Sequence, residues 1–169
     1  MKTHIILAFS LAAALLSTPA FAQSKADKTF ITEAIEGNLA EVQMGQLAQQ
    51  NGGSDEVKSF GKTLETDHSQ ANSKATQVAQ DLKITVPAEP SAKQKKMHDQ
   101  LSKLNGAAFD RQFARHMVAD HKHDIAQYEK AAKSKDKAVA GYAKESLPTL
   151  KKHLQMAQSI EQGRKTSQR

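Results

Sequence analysis

Apolar and small residues recur every three or four positions through most of this chain, which is the periodicity of helices with one buried face. From Lys28 to Gln50 the stripe is Phe30, Ala34, Gly37, Glu41, Gly45 and Ala48, with Ile31, Ile35 and Val42 alongside, and Asn51-Gly52-Gly53 ends it. Ser54 is a natural N-cap, with Asp55 and Glu56 behind it where the helix dipole favours acids. The stripe Val57, Phe60, Leu64, His68, Ala71, Ala75, Val78, Leu82 then predicts a second long helix, antiparallel to the first across the tight glycine turn.

Val86-Pro87-Ala88-Glu89-Pro90 cannot continue a helix and reads as an extended connection, after which Ser91 caps a short helix from Ala92 to Leu104, closed by Asn105-Gly106. A third long helix is expected from Ala107 to Lys133, with Phe113, Met117, His121, Ile125 and Tyr128 inward. A fourth runs from Lys137 to Gln162, with Tyr142, Leu147, Leu150, Leu154, Ala157 and Ile160 inward, and Gly163 is expected to end it, leaving residues 164–169 as a basic tail. Pro148 predicts a kink one turn before His153, because it removes a backbone donor and crowds the Lys144 carbonyl. The fold expected is all-α, an up-down-up-down four-helix bundle with a short extra helix between helices two and three, in one domain over residues 23–163.

The N-terminus changes where this bundle is expected to work. Lys2, the apolar run Ile5 to Leu16, and Pro19-Ala20-Phe21-Ala22 make a secretory signal peptide over residues 1–22, cleaved after Ala22. The run is short of the roughly 20 residues that cross a bilayer. A periplasmic or secreted protein follows. The chain has no cysteine, so lipidation at the cleavage site, disulfides and thiolate chemistry are excluded, and stability must come from core packing. The whole chain carries a formal charge of +6, and Lys2 is the only charged side chain of the first 22 residues. A basic exported protein without aromatic stacking motifs points away from nucleic acid; its lysines read first as solvating the helix faces, with peripheral contact to an anionic envelope surface as the better candidate if they serve a partner.

Each long helix carries one polar or charged residue on its apolar stripe: Glu41, His68, His121 and His153. Burying such groups costs several kcal/mol unless they find partners, and a bundle core offers few besides each other, water or a metal ion. At about 1.5 Å per residue, measured from the turns, His121, His68 and His153 lie roughly 21, 24 and 27 Å down the bundle and Glu41 near 16 Å. The imidazoles thus fall within one turn of each other, and Glu33, further down the same face as Glu41, is a reserve ligand. Three neutral imidazoles and a carboxylate suit copper, zinc, iron or manganese.

Asp67 and Asp120, each just before an inward histidine, and Glu65, three residues before His68, are candidates to orient the imidazoles, while Asp67 and Asp120 read equally well as surface charge partners. Met44, Met117 and Met156 lie one turn from Glu41, His121 and His153, where they read as core filler or as thioether ligands. His98, His116 and His123 read as solvated surface groups. Two accounts of the core set stay open: a metal site, or a hydrogen-bonded polar layer that fixes helix register.

Gly37-Asn38-Leu39-Ala40-Glu41-Val42 with Gly45 and Leu47-Ala48, Asp67-His68, Gly106-Ala107-Ala108-Phe109-Asp110, Asp120-His121, and Leu147-Pro148 with Leu150 and His153-Leu154 together resemble the domain of unknown function 4142 family, exported proteins of the ferritin-like class. The resemblance covers nearly all of the mature chain and implies the bundle fold, with a metal centre suggested by the wider class. Di-iron members of that class use a glutamate on two helices and a Glu-x-x-His pair on the other two. Here only Glu65 with His68 makes such a pair; Leu150 stands where the second glutamate would be and His121 where a carboxylate is expected, which argues against ferroxidase or oxygenase activity.

The functions to be separated are therefore three. The first is a periplasmic metal-binding protein for sequestration, delivery or stress protection. The second is a structural, chaperone-like or envelope-binding protein with an architectural polar core. An enzyme comes third, since the sequence has no nucleophile-base constellation or phosphate-binding loop.

Overall fold

The computed structural model describes residues 24–166, with side chains to residue 163; the expected signal peptide and the last three residues of the expected tail lie outside the described residues. The described residues form four long helices and one short one: α1 (Lys25–Asn51), α2 (Asp55–Asp81), α3 (Ala92–Leu101), α4 (Gly106–Ala131) and α5 (Lys137–Thr166). There is no strand among the described residues, only an isolated bridge between Gly52 and Gly106. No helix among them is long and apolar enough to cross a membrane.

Local chemistry sets the helix starts. Ser24 and Ser54 accept the backbone N–H of Asp27 and Val57, and Ser91 forms a reciprocal capping box with Gln94. Gly106 begins α4 at φ +52°, a left-handed conformation that glycine adopts without steric cost. Two ends differ from the periodicity. The short helix stops at Leu101 rather than Leu104, and α5 passes through Gly163 to Thr166. A glycine in a helix costs only about 1 kcal/mol relative to alanine, so it stops a helix only where a left-handed turn takes over. Pro148 lies inside α5, which remains helical on both sides of it.

The long helices pack as α1 against α2, α4 against α5, α2 against α5 and α1 against α4, while α3 rests on α1 and α4. At the α1/α2 crossing the backbones nearly touch. A Cβ on Gly45 would sit 2.4 Å from the Gly61 carbonyl oxygen, and one on Gly61 would sit 2.6 Å from that of Gly45. Gly37, two turns earlier on α1, faces the side chain of Gln94 on α3 at an ordinary contact distance. The α1–α2 turn is tied to α4 by the fully buried Asp110, whose carboxylate accepts the N–H groups of Gly53 at 2.8 Å and Ser54 at 3.1 Å.

The core falls into two apolar clusters. One contains Ile31, Ile35, Ala75, Ala79, Tyr128, Val139, Tyr142 and Leu150; the other contains Met44, Leu47, Phe60, Leu64, Phe109, Phe113, Met117 and Ala157. Along every long helix the switch from one cluster to the other passes through a buried polar residue: Asn38 and Glu41 on α1, His68 on α2, His121 on α4, His153 on α5. A continuous polar layer thus crosses the middle of the bundle. Met44 and Met117 belong to the second cluster, and Met156 packs against it.

Candidate metal centre

His68, His121 and His153 come together as the spacing predicts, with one ring nitrogen from each within 4.8 Å of the others. All three are buried, His121 and His153 completely. Each ring is held through one nitrogen by an oxygen acceptor: His68 Nδ1 lies 2.9 Å from Asn38 Oδ1, His121 Nδ1 lies 3.0 Å from the Met117 carbonyl, and His153 Nε2 lies 2.9 Å from Asp67 Oδ2. An oxygen acceptor requires the facing nitrogen to carry the proton, which assigns the tautomers from the network. Asn38 presents its oxygen because its amide nitrogen donates to the Tyr142 hydroxyl at 3.0 Å, which in turn contacts the Tyr128 hydroxyl.

The remaining nitrogens, His68 Nε2, His121 Nε2 and His153 Nδ1, therefore carry lone pairs. His68 Nε2 is buried without a hydrogen-bond partner. His121 Nε2 and His153 Nδ1 lie 3.3 Å apart with no proton to share in these tautomers. Two lone pairs at that distance repel unless a cation stands between them. Nitrogens on a tetrahedral metal ion at about 2.0–2.1 Å are themselves about 3.3–3.4 Å apart, so the spacing matches a ligand pair.

Electrostatics keep the rings neutral. Burial, reinforced by His121 and His153, holds His68 well below the usual imidazole range. Burial and His153 bring His121 down to about 4 against the opposing pull of Asp120. His153 is lowered by burial despite the hydrogen bond and charge of Asp67. Neutral imidazole is the form that binds metal. A small cavity of about 80 Å³, lined by His68, His153, Asn38 and Asp67 among others, adjoins the site and is roomy enough for water.

The other expected residues lie elsewhere in the layer. Glu41 is buried, and burial with the nearby charges of Asp120 and Asp124 holds its carboxyl well above the usual range; it lies outside the histidine trio. Glu65 turns outward to α1, accepting from Gln46 and Gln49, both at 2.8 Å. Asp67 does orient an imidazole, that of His153 on α5 rather than its sequence neighbour His68. Glu33 and Asp120 line a cleft between α1, α3 and α4. His116 also lines that cleft and is half-buried, where a solvated surface position was expected; its imidazole is lowered chiefly by burial.

Asn38 and Tyr142 are the members of this network that residue-type reasoning passes over. Asn38 lies seven residues after Ile31, on the same inward stripe, so its position carried the signal while its polar side chain suggested solvent.

Neither a curated protein nor a solved structure matches the chain. The model of the family described as domain of unknown function, DUF4142, matches residues 12–160, and with a match over most of its length the chain belongs to that family.

Proposed function

We propose that this protein is an exported metal-binding bundle of the ferritin-like, up-down-up-down kind, in which His68, His121 and His153 hold one transition-metal ion for sequestration, delivery or protection against metal stress. The observation that carries the reading is the convergence of three imidazole lone pairs, each fixed by an oxygen acceptor behind it, with His68 Nε2 left without a partner. Oxygen acceptors behind metal-bound imidazoles are the usual means of fixing ring orientation and raising ligand basicity. A buried polar layer built only to fix register would pair its donors with its acceptors; an orphaned buried acceptor costs about 1–3 kcal/mol.

Three histidines leave one position of a tetrahedral ion for water or for a ligand from the adjoining cavity. Imidazole donors favour zinc, copper, iron or nickel over calcium or magnesium. On the reading of residues 1–22 as a cleaved signal peptide, this activity belongs to the periplasm or the outside of the cell.

The test is to express the full chain with its leader, purify the mature protein without chelator or polyhistidine tag, and measure bound metals by mass spectrometry beside a His68→Ala, His121→Ala double variant. Near-stoichiometric metal that is lost in the variant supports the reading and identifies the ion. Absence of metal in the wild type, with none taken up on adding copper, zinc, iron or manganese, would sink it.

A further inference from the structure

The end of the bundle away from the Gly52-Gly53 turn is strongly cationic. Helices α1 and α5 begin there and α2 and α4 end there, and the Ser134 hydroxyl of the α4–α5 turn donates to Asp27 of α1 at 2.7 Å. Lys25, Lys83, Lys130, Lys133, Lys135 and Lys137 are exposed on these segments, and none of them forms an ion pair among the described residues. We propose that this end of the bundle is a docking surface for the anionic phospholipid headgroups of a bilayer, independent of the histidine trio.

The nearby acids are engaged by other donors. Asp27 accepts the hydroxyls of Ser24 and Ser134, both at 2.7 Å. Asp136 accepts the N–H groups of Ala138 and Val139 where α5 begins, and Asp81 accepts the Gln77 amide. Elsewhere lysines do meet carboxylates, as Lys74 meets Glu145 and Lys95 meets Glu89. At this end the carboxylates serve local hydrogen bonds, and the ammonium groups face solvent. Lys83, just past the α2 C-cap Leu82, has φ +53°, a left-handed conformation that favours glycine. The chain carries a cation there instead.

The chemistry of the cations favours lipid over protein or nucleic acid. All six are lysines, point charges on flexible stems that can follow a mobile layer of headgroups, whereas fixed carboxylates and phosphates are best met by the bidentate fork of arginine. Arg111 and Arg115 lie in the first half of α4, toward the other end. Phe30 is half-buried, edge-on to Tyr128 at 4.9 Å, so its ring is not presented for base stacking. A cleft of about 600 Å³ between the start of α1 and the end of α4 gives a headgroup room to seat. Its lining joins Phe30 and Ala131 to Lys25, Lys130, Lys133 and Lys135, and its acids are Asp27 and Glu33. No helix among the described residues is long and apolar enough to cross a membrane, so the contact is peripheral.

The experiment sediments the mature protein with vesicles of phosphatidylcholine, alone or with about one third phosphatidylglycerol, at about 0.1 M salt. Wild type is expected to bind the anionic vesicles only and to be released at about 1 M salt, where the screening length is roughly 3 Å. Each lysine near an anionic surface contributes about fivefold to partitioning, so Lys130→Glu, Lys133→Glu, Lys135→Glu together should weaken binding at least about 100-fold. Lys58→Glu, Lys96→Glu, Lys103→Glu makes the same change of net charge on α2, on α3 and beyond it, and should stay within about threefold of wild type. Lys83→Gly should bind about fivefold more weakly without a lowered Tm, which separates lost charge from lost fold. No binding of wild type to anionic vesicles would overturn the proposal and leave an acidic protein or a soluble polyanion as the partner. Equal loss in the two triple variants would overturn it by tracing binding to net charge alone, and equal binding to neutral vesicles would remove the lysines from the account.

Discussion

Asn38 on α1 accepts a hydrogen bond from His68 on α2, Oδ1 to Nδ1 at 2.9 Å, and is held in that orientation by donating to Tyr142 on α5. One side chain thus couples three helices to the tautomer of one imidazole. Replacing Asn38 by Ala frees His68 to rotate and to change tautomer. Affinity for the metal of the trio is expected to fall about 10- to 100-fold, the usual cost of removing such an orienting partner. Isothermal titration with zinc, beside a circular dichroism spectrum showing an intact bundle, measures it; unchanged affinity would show that Asn38 does not orient the site.

Metal binding at the trio should resist acid. Ordinary histidines compete for metal with protons below about pH 6.5, but burial keeps these three neutral further down, His121 to about 4. Zinc affinity is expected to stay nearly flat from pH 8 to about 5.5 instead of dropping from 6.5. A steep fall beginning at pH 6.5 in a competition titration would contradict the burial argument.

The carboxylate cluster gives the opposite dependence of stability on pH in metal-free protein. Asp124 is raised in the folded state from 3.8 to about 7, by burial and by Asp120 and Glu33, and Glu41 is raised in the same direction. The folded form therefore holds more protons than the unfolded one in this window, so these groups contribute stability that is full below about 3.8 and is lost as pH rises through about 7. Removing that titration, Asp124→Asn should gain in Tm over wild type as pH rises between those values, and the gain should level off above 7. Thermal melts in a chelator across the range test the sign; a Tm difference independent of pH would refute it. The buried histidines pull wild type and variant alike the other way, destabilising both as pH falls below about 6.5.

Gly45→Ala should destabilise the bundle. Its Cβ would lie 2.4 Å from the Gly61 carbonyl oxygen and 2.8 Å from the Glu65 amide nitrogen, both backbone atoms that move only if the helices separate. Overpacking of this kind costs about 1–3 kcal/mol, which outweighs the fraction of about 1 kcal/mol that alanine gains in helix propensity. A Tm lowered by roughly 3–10 °C is expected. Gly141→Ala, where the Cβ meets nothing within 4 Å, is the matched control and should be neutral or stabilising.

The local parts of this structure were legible in the chain. Helix existence, the Ser54 and Ser91 caps and the level at which His68, His121 and His153 meet follow from periodicity and rise per residue, because those depend only on neighbours a turn away. The end of α5 was not, since a glycine signals a stop only when the chain also leaves the helix there.

Rotation about each helix axis and the pairing between helices needed the tertiary structure. Sequence put Glu41 on the inward face nearly a turn from the histidine level; packing left it outside the trio, buried where Asp120 and Asp124 of α4 are the charges that act on it. It placed Glu65 beside His68 on one face, whereas the close α1/α2 crossing at Gly45 and Gly61 turned Glu65 to Gln46 and Gln49. It offered Asp67 as a partner for a histidine, and only the approach of α5 decided that the histidine is His153. A single chain's residue pattern encodes which face is buried, because burial is a property of one helix; which polar group meets which is a property of two, and is fixed only when their backbones close to contact.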